Sequence, residues 1–189
     1  MRDSLEAIGY TQQISEFIVG AKLENAPQDV IERVKLHLLD AVGIMLGAYA
    51  LRHPILEGTI QLTREYGGRV EATLVGAGDK VGCADAAMVN AVLANFLDFS
   101  DGHFLGGHIN DRLVPICLAV GERVAASGRE VLEALLVGYE VYIHLATQIF
   151  KTAEPAPVRM PCFTVIGTIA GAAVAGRLLR LSAREIAAA

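Results

Sequence analysis

Residues 127–150 read SGREVLEALLVGYEVYIHLATQIF, and this stretch has the features of one long helix. Ser127 and Glu130 have the spacing of a capping box, in which a hydroxyl and a carboxylate satisfy backbone N–H groups at a helix start. Glu133, Glu140 and His144 interrupt the apolar residues behind the box, which argues against a membrane span. We predict a helix that begins at this box and runs to about Phe150.

Residues on both sides of this segment also show a helical spacing of apolar side chains. A second capping box, at Ser182 and Glu185, opens another helix near the end of the sequence. Gly167, Gly171 and Ala175 are spaced four residues apart, so a neighbouring helix can approach them closely. Further helices are predicted over Thr11–Ala21, Pro27–Tyr49, Pro54–Tyr66, Asp85–Leu97, Leu113–Ala126 and Thr164–Leu179.

One short segment between the predicted helices, residues 72–82, lacks the helical spacing of apolar side chains. Its apolar run Ala72–Val75 and the Gly-rich segment Gly76–Gly82 predict a short strand and a turn. That Gly-rich segment lacks the Lys-Ser/Thr ending of a phosphate-binding loop. Lys151–Pro161 holds three of the six prolines and is predicted to be a loop. Seven or eight helices with little strand place the chain in the all-α class, as a single helical domain over residues 1–189.

Composition narrows the class of function. The formal net charge is −5 and no block of Lys or Arg occurs, which argues against nucleic-acid binding. Cys83, Cys117 and Cys162 lie far apart and are odd in number, so neither a disulfide framework nor a zinc knuckle is expected. The N-terminus lacks the basic region and apolar run of an export signal, and no membrane span is predicted. We expect a cytoplasmic protein.

Titratable groups crowd into one segment after the predicted helix Asp85–Leu97. Asp98, Asp101, His103 and His108 lie within eleven residues. His titrates near neutral pH unaided and burial raises the pKa of an Asp, so such a segment suits proton transfer. The same side chains could instead cap backbone groups, or bind a divalent metal, although they lack the i, i+4 spacing of a helix-borne metal site. We favour the acid–base role and predict no metal.

The sequence gives weaker evidence that other polar residues belong to the functional site. Arg112 and Arg159 flank the cluster and could hold substrate carboxylates, with surface solvation as the competing role. Asn95 is a further candidate for the pocket. Asp40, inside an apolar helix, is predicted to satisfy a buried cap or hydroxyl. Structural or exposed roles are predicted for the histidines without an acidic partner in the pattern, namely His37, His53 and His144.

Five segments of the chain have the form of known family motifs, in the right order. Leu39–Gly43 resembles LDxxG, Ala86–Asp101 resembles AxxNGxxAHxLDFDD, and His108–Pro115 resembles HPSxxxxP. Ser127-Gly128 with Gly138-Tyr139-Glu140-Val141 resembles SG…GYEV, and Val165-Ile166-Gly167-Thr168 with the Ala-rich run after it resembles VGTxxAAAAA. Together they resemble the N-terminal helical domain of the MmgE/PrpD family, which includes 2-methylcitrate dehydratase, cis-aconitate decarboxylase and iminodisuccinate epimerase.

The resemblance implies an enzyme that needs no metal or other cofactor. In this family a larger helical domain is completed by a smaller α/β domain, with the active site between them and usually a homodimer overall. The present chain would hold the helical domain alone, and a second chain could supply the α/β domain. The resemblance also implies catalytic roles for Asp98 and His108, while Asp101 and His103 would border the pocket.

Three departures from the family motifs bear on activity. Ser100 replaces an acidic residue, and Ile109-Asn110 replaces Pro-Ser. Pro161 stands where the family commonly has a His ahead of the VGT helix, and Pro cannot exchange protons. An activity that depends on that imidazole would be lost or carried out differently.

The function that the resemblance implies is that of a carbon–oxygen lyase related to 2-methylcitrate dehydratase. Such an enzyme would remove water from a small polycarboxylate, with Asp98 and His108 as the acid–base pair. A cis-aconitate decarboxylase-like or epimerase-like activity is the alternative within the family. A competing hypothesis from another class is a non-catalytic helical subunit that keeps the dimer-forming scaffold of a split or degenerate enzyme.

Overall fold

A computed structural model describes residues 9–104, 107–152 and 162–189. Within these ranges the chain forms eight α-helices, a short 3₁₀ turn and a two-stranded hairpin, which confirms the all-α prediction. The hairpin between the third and fourth helices pairs β1 (Ala72–Thr73) antiparallel with β2 (Lys80–Val81). The helices are α1 (Tyr10–Gly20), α2 (Gln28–Ala50), α3 (Pro54–Tyr66), α4 (Cys83–Phe96), α5 (Asn110–Arg123), α6 (Gly128–Thr152), α7 (Cys162–Leu178) and α8 (Ala183–Ala188).

Helix α6 lies at the centre of the core. Its residues Leu135, Val137 and Tyr142 are fully buried, and the helix packs against both α5 and α7. Gly138 allows α7 to come close, because a Cβ atom at this position would lie only 2.4 Å from Cγ2 of Val174. The long apolar run after Ser127 therefore forms the central contact of the fold.

The predicted capping box at the start of α6 is confirmed. The backbone N–H of Glu130 donates to Oγ of Ser127 at 3.3 Å, and the N–H of Ser127 donates to Oε2 of Glu130 at 2.8 Å. The Ser127 hydroxyl donates to the same carboxylate oxygen at 2.8 Å. These bonds to Ser127, with the guanidinium of Arg180, lower the pKa of Glu130 to about 2.

Replacing Ser127 by Ala is expected to raise the pKa of Glu130 toward its ordinary value of 4.5, because the hydroxyl donor is lost. A carboxyl with a lowered pKa stabilises the fold above pH 4.5, and that contribution is lost as the pH falls toward about 2. The variant should therefore lose less stability than the wild type over this acidic range. NMR titration of the Glu130 carboxyl, with thermal unfolding at each pH, measures both effects; an unchanged Glu130 pKa would contradict the expectation.

Helix α5 begins at Asn110, three residues before the predicted start at Leu113. Its N-cap residue, Ile109, makes no side-chain cap hydrogen bond of its own. Instead, Oδ1 of Asp101 accepts the backbone N–H groups of Ile109 and Asn110 at 3.0 and 2.8 Å. The boundary was predicted wrongly because the capping carboxylate comes from eight residues upstream, where no local signal marks it.

The interlude between α3 and α4 contains the predicted strand and turn, with a second strand, β2, that the prediction lacked. Buried Asn90 of α4 holds the turn: it accepts from the N–H of Val75 at 2.9 Å and donates to the carbonyl of Thr73 at 3.0 Å. The predicted loop Lys151–Pro161 is wrong at its start, since α6 continues to Thr152. The rest of that loop falls outside the described residues.

In the described ranges, no helix taken alone is both long and apolar enough to cross a membrane. Helices α2 and α3 pass that test only as a pair, by length and composition, and the chain bends by 99° between them. Helix α4 is apolar but short.

Candidate functional site

The predicted cluster lies on the loop between α4 and α5. Asp98 begins it with a positive φ of 51°, a conformation that Asp tolerates better than most residues do. Farther along, the backbones of His103 and Gly107 exchange two hydrogen bonds of 2.9 Å. Phe99 and Phe104 are exposed on this loop. The cluster is thus carried by an irregular segment between two packed helices.

The imidazole of His108 is held through its Nδ1 atom. This atom lies 2.9 Å from the carbonyl oxygen of Asp101 and 3.3 Å from that of Ser100. A carbonyl oxygen only accepts hydrogen bonds, so Nδ1 carries the hydrogen, and in the neutral ring the lone pair is on Nε2. The Ser100 hydroxyl lies 3.0 Å from the same Nδ1.

Asp98 lies on the Nε2 side of this ring. Its Oδ1 is 3.8 Å from Nε2 of His108, which is beyond a hydrogen bond but within ion-pair distance. The Asp98 side chain is 86% exposed and that of His108 is 43% exposed. The structure therefore brings the two predicted catalytic residues together, but the described part of the chain leaves both open to solvent.

Asp101 differs from Asp98 because it is buried, with a side chain that is 9% exposed. Besides capping α5, its carboxylate accepts from the Tyr139 hydroxyl at 2.8 Å and from Nδ1 of His37 at 3.0 Å. Burial on its own raises the pKa of Asp101, yet the donors from His37, α5 and Tyr139 together hold that pKa below its usual value. Asp101 is thus a buried anion that holds the loop against α2, α5 and α6, and its place at the border of a pocket stays a prediction.

His37 is a site residue that sequence reasoning missed. We predicted a structural or exposed role without an acidic partner, but its ring bonds Asp101 and stacks on Tyr139 at a centroid distance of 4.9 Å. Burial, and then the neighbouring carboxylate of Asp101, raises the pKa of Tyr139, so this hydroxyl remains a donor. The available signal was the i, i+3 spacing of His37 and Asp40, which puts two polar groups on one face of α2.

Arg112, one turn after His108, belongs to a second polar group. Its Nη1 donates to the carbonyl of His108 and to Oδ1 of Asp111, the latter at 2.9 Å. Asn95 donates to the other carboxylate oxygen of Asp111 at 2.9 Å. Asp111, with a side chain that is 3% exposed, was not predicted and joins the two candidates. Gly167 leaves space for the arginine, since an added Cβ there would lie 2.7 Å from Cδ of Arg112.

The remaining predicted residues have varied outcomes. Asp40 accepts from Nδ2 of Asn110 at 2.9 Å, so its partner is an amide and not the predicted cap or hydroxyl. His53 accepts from the N–H of Ile55 at the start of α3, which is a structural role as predicted. His103 is half-buried within the loop. The predictions for Arg159 and Pro161 lie outside the described residues.

Two further observations concern what the site holds. Over residues 9–104, 107–152 and 162–189, no group of three or more His, Cys, Asp or Glu side chains is arranged to hold a metal ion. Two surface cavities, one lined in part by Glu133 and Arg177 and the other by Tyr49 and Arg64, contain neither Asp98 nor His108. The geometry thus presents an imidazole with a defined lone pair beside a carboxylate, on a surface that solvent reaches.

Comparison with known proteins finds relatives with one recurring name. Cis-aconitate decarboxylase of Mus musculus is 28% identical over 177 residues, which cover 91% of this chain and 36% of that protein. The human protein of that name is 28% identical over 183 residues, which cover 93% of this chain and 37% of that protein. The Aspergillus terreus protein is 28% identical over 186 residues, which cover 95% of this chain and 37% of that protein. The chain thus spans little more than a third of the length of these curated relatives.

A family match covers nearly all of the sequence. The MmgE/PrpD N-terminal domain matches residues 12–189, which include α2 to α8 and the whole loop that carries Asp98 and His108. This extent agrees with the five motif segments, which run from Leu39 into α7. The chain therefore belongs to the MmgE/PrpD family, with its N-terminal domain at residues 12–189.

Proposed function

We propose that this chain is the helical part of a lyase that acts on a small polycarboxylate, with Asp98 and His108 as its acid–base pair. The proposal rests on the orientation of the His108 ring. Its Nδ1–H donates to the carbonyl of Asp101, so Nε2 faces Asp98 at 3.8 Å. Relatives whose names denote decarboxylation of cis-aconitate support the lyase class.

The two residues divide the proton transfer between them. In a dehydration, the neutral imidazole takes a proton at Nε2 from the carbon next to a carboxylate. The resulting imidazolium, stabilised by Asp98, then gives a proton to the departing hydroxyl, which leaves as water. A decarboxylation starts instead from the protonated ring. The carbon–carbon bond breaks, carbon dioxide departs, the electron pair stays on the substrate carbon, and the imidazolium gives its Nε2 proton to that carbon. The same pair therefore serves either reaction.

Substrate carboxylates need positive charge near this pair. Arg112 is one turn after His108, its side chain is 33% exposed, and Asp111 fixes its orientation. We propose that Arg112 positions a substrate carboxylate through its guanidinium group, which suits planar anions. The structure supports this role over simple surface solvation, because both ends of the Arg112–Asp111 contact are at least partly buried.

The proposal includes the setting of the enzyme. Solvent reaches Asp98 in the described chain, so the low-polarity surroundings that strengthen acid–base catalysis would come from a covering α/β domain. A cytoplasmic location and a homodimer are also parts of the proposal. The buried free thiols Cys83 and Cys117 are consistent with a reducing compartment.

Substrate consumption tests the proposal. The purified chain is incubated alone and together with a co-expressed α/β domain, with 2-methylcitrate or cis-aconitate, and the products are followed by proton NMR. We expect consumption of one of the two compounds when both domains are present: loss of water from 2-methylcitrate supports the dehydratase, and carbon dioxide release from cis-aconitate supports the decarboxylase. Inversion of a stereocentre would indicate the epimerase-like reaction.

A second candidate function is a non-catalytic scaffold subunit. Helix α2 exposes Leu36, Leu39 and Leu46, at 54, 68 and 47% of their surface, on one face with a spacing of three and seven residues. This spacing is typical of helices that pair with another helix. A stable dimer that consumes neither compound with an α/β domain present would favour the scaffold, and light scattering after size exclusion gives the required mass.

A further inference from the structure

The Asp101 carboxylate has its hydrogen-bonding capacity filled by the protein. Oδ1 accepts two backbone N–H groups, from Ile109 at 3.0 Å and Asn110 at 2.8 Å. Oδ2 accepts from Tyr139 at 2.8 Å and from His37 at 3.0 Å. A carboxylate offers about four such positions, so none of them is left for a substrate. Asp101 can therefore act only through its neighbours.

The relevant neighbour is His108, whose ring and backbone are restrained by two hydrogen bonds that Asp101 accepts. The carbonyl oxygen of Asp101 accepts the hydrogen on Nδ1 of His108 at 2.9 Å. Its carboxylate binds the N–H of Ile109, the residue directly after His108. These two bonds, with the intervening backbone, close a small ring that fixes the imidazole relative to the start of α5. Because His37 is on α2 and Tyr139 on α6, the ring is also fastened to two core helices.

We propose that Asp101 is a positioning residue that sets the orientation and tautomer of the His108 imidazole, with His37 and Tyr139 as its anchors. The inference rests on the proposed function in one respect, namely that the Nε2 lone pair of His108 is the base. Asp101 keeps the ring hydrogen on Nδ1, and the lone pair is thereby directed toward Asp98. A hydrogen bond from one ring N–H to a carbonyl or carboxylate oxygen determines a histidine's tautomer in the same manner at metal sites.

Imidazole nitrogen NMR on the 189-residue chain tests the proposal without any need for turnover. Long-range proton–nitrogen correlation distinguishes the two tautomers, and a His108→Gln sample assigns this ring among the five histidines. We expect the Nδ1–H form to predominate in the wild type. Asp101→Ala keeps the backbone carbonyl but loses the carboxylate that fixes it to Ile109, Tyr139 and His37. The variant should therefore show a mixture of tautomers, in which the Nε2–H form increases at least severalfold.

Two milder variants keep the test decisive if Asp101→Ala does not fold. Tyr139→Phe removes one donor, and His37→Phe removes another while keeping a ring to stack on Tyr139. Each should shift the tautomer in the direction seen with Asp101→Ala, by a smaller amount. The matched control is Glu133→Gln, a largely buried carboxylate that binds Arg177 and the N–H of Leu23 away from the loop. It should leave the His108 spectrum as in the wild type.

The outcomes separate this proposal from the proposed function. A His108 tautomer unchanged in every folded variant of Asp101, His37 and Tyr139 overturns the positioning role, whatever the activity. A tautomer shift in a protein that consumes no polycarboxylate supports positioning and counts against the proposed function alone. Where turnover is measured with both domains present, Asp101→Asn should lower kcat by roughly 10- to 100-fold with little change in KM.

Discussion

Replacing His108 by Ala is expected to reduce turnover of the polycarboxylate by about 10²- to 10⁴-fold, because a positioned general acid–base contributes that much to a rate. The Nδ1 hydrogen bond to Asp101 leaves Nε2 as the reactive nitrogen, and an alanine side chain has no group that can exchange a proton. The measurement is kcat/KM for substrate loss in the presence of the α/β domain. Retention of the wild-type rate would remove His108 from the mechanism.

Asp98→Asn probes the other member of the pair. The amide keeps the shape of the side chain but cannot stabilise an imidazolium 3.8 Å away, so a large fall in kcat is expected. His144→Ala, at an exposed position on α6, and Asp29→Asn, at the start of α2, are the matched controls, and both should retain the wild-type rate. Circular dichroism of all four variants checks that they fold. Equal loss in variants and controls would point to general damage rather than to a site.

Gly138→Ala is expected to lower the free energy of unfolding by about 1–3 kcal/mol through overpacking between helices. An added Cβ would lie 2.4 Å from Cγ2 of Val174 on α7 and 3.1 Å from Cδ1 of Leu113 on α5. Both neighbours are fully buried, so neither can move without disturbing the core. Urea unfolding of the variant and the wild type, followed by circular dichroism, measures the difference.

Gly43→Ala is the matched control for this prediction. Gly43 is also inside a helix, but nothing lies within 4 Å of a Cβ added there, so Ala should stabilise the chain by about 0.5–1 kcal/mol. The double variant Gly138→Ala with Val174→Ala should recover part of the loss, because it removes the closest contact. A Gly138→Ala protein as stable as the wild type would mean that α6 and α7 do not pack as closely as the structure shows.

Most of the fold could be predicted from local signals. The box at Ser127 and Glu130, the apolar run behind it and the helical spacing elsewhere predict the helices to within a few residues, since caps and periodicity act over one or two turns. The start of α5 could not be predicted in this way. Its capping carboxylate, Asp101, comes from a loop whose path depends on Tyr139 of α6.

The site was predictable in part for a related reason. Asp98 and His108 are close in sequence, so their proximity could be expected from one segment, and motif resemblance indicated their roles. The contact between His37 and Asp101 joins residues 64 positions apart. The i, i+3 spacing of His37 and Asp40 indicates a polar face on α2, but it does not identify Asp101 as the partner. Asp111, which links Asn95 to Arg112, was hidden for the same reason.

The sequence by itself determined that the chain is all-α, that it belongs with the MmgE/PrpD family, and that Asp98 and His108 share one loop. These properties follow from short-range patterns and motifs of the sequence. Only the tertiary structure decided which nitrogen of His108 carries the hydrogen, and that the carboxylate of Asp101 is buried and accepts from four protein donors. The burial of Asp101 depends on donors from α2 and α6, because only the folded core brings His37 and Tyr139 to this carboxylate. The tautomer of His108 depends on the path of the loop, which brings Nδ1 to the carbonyl of Asp101.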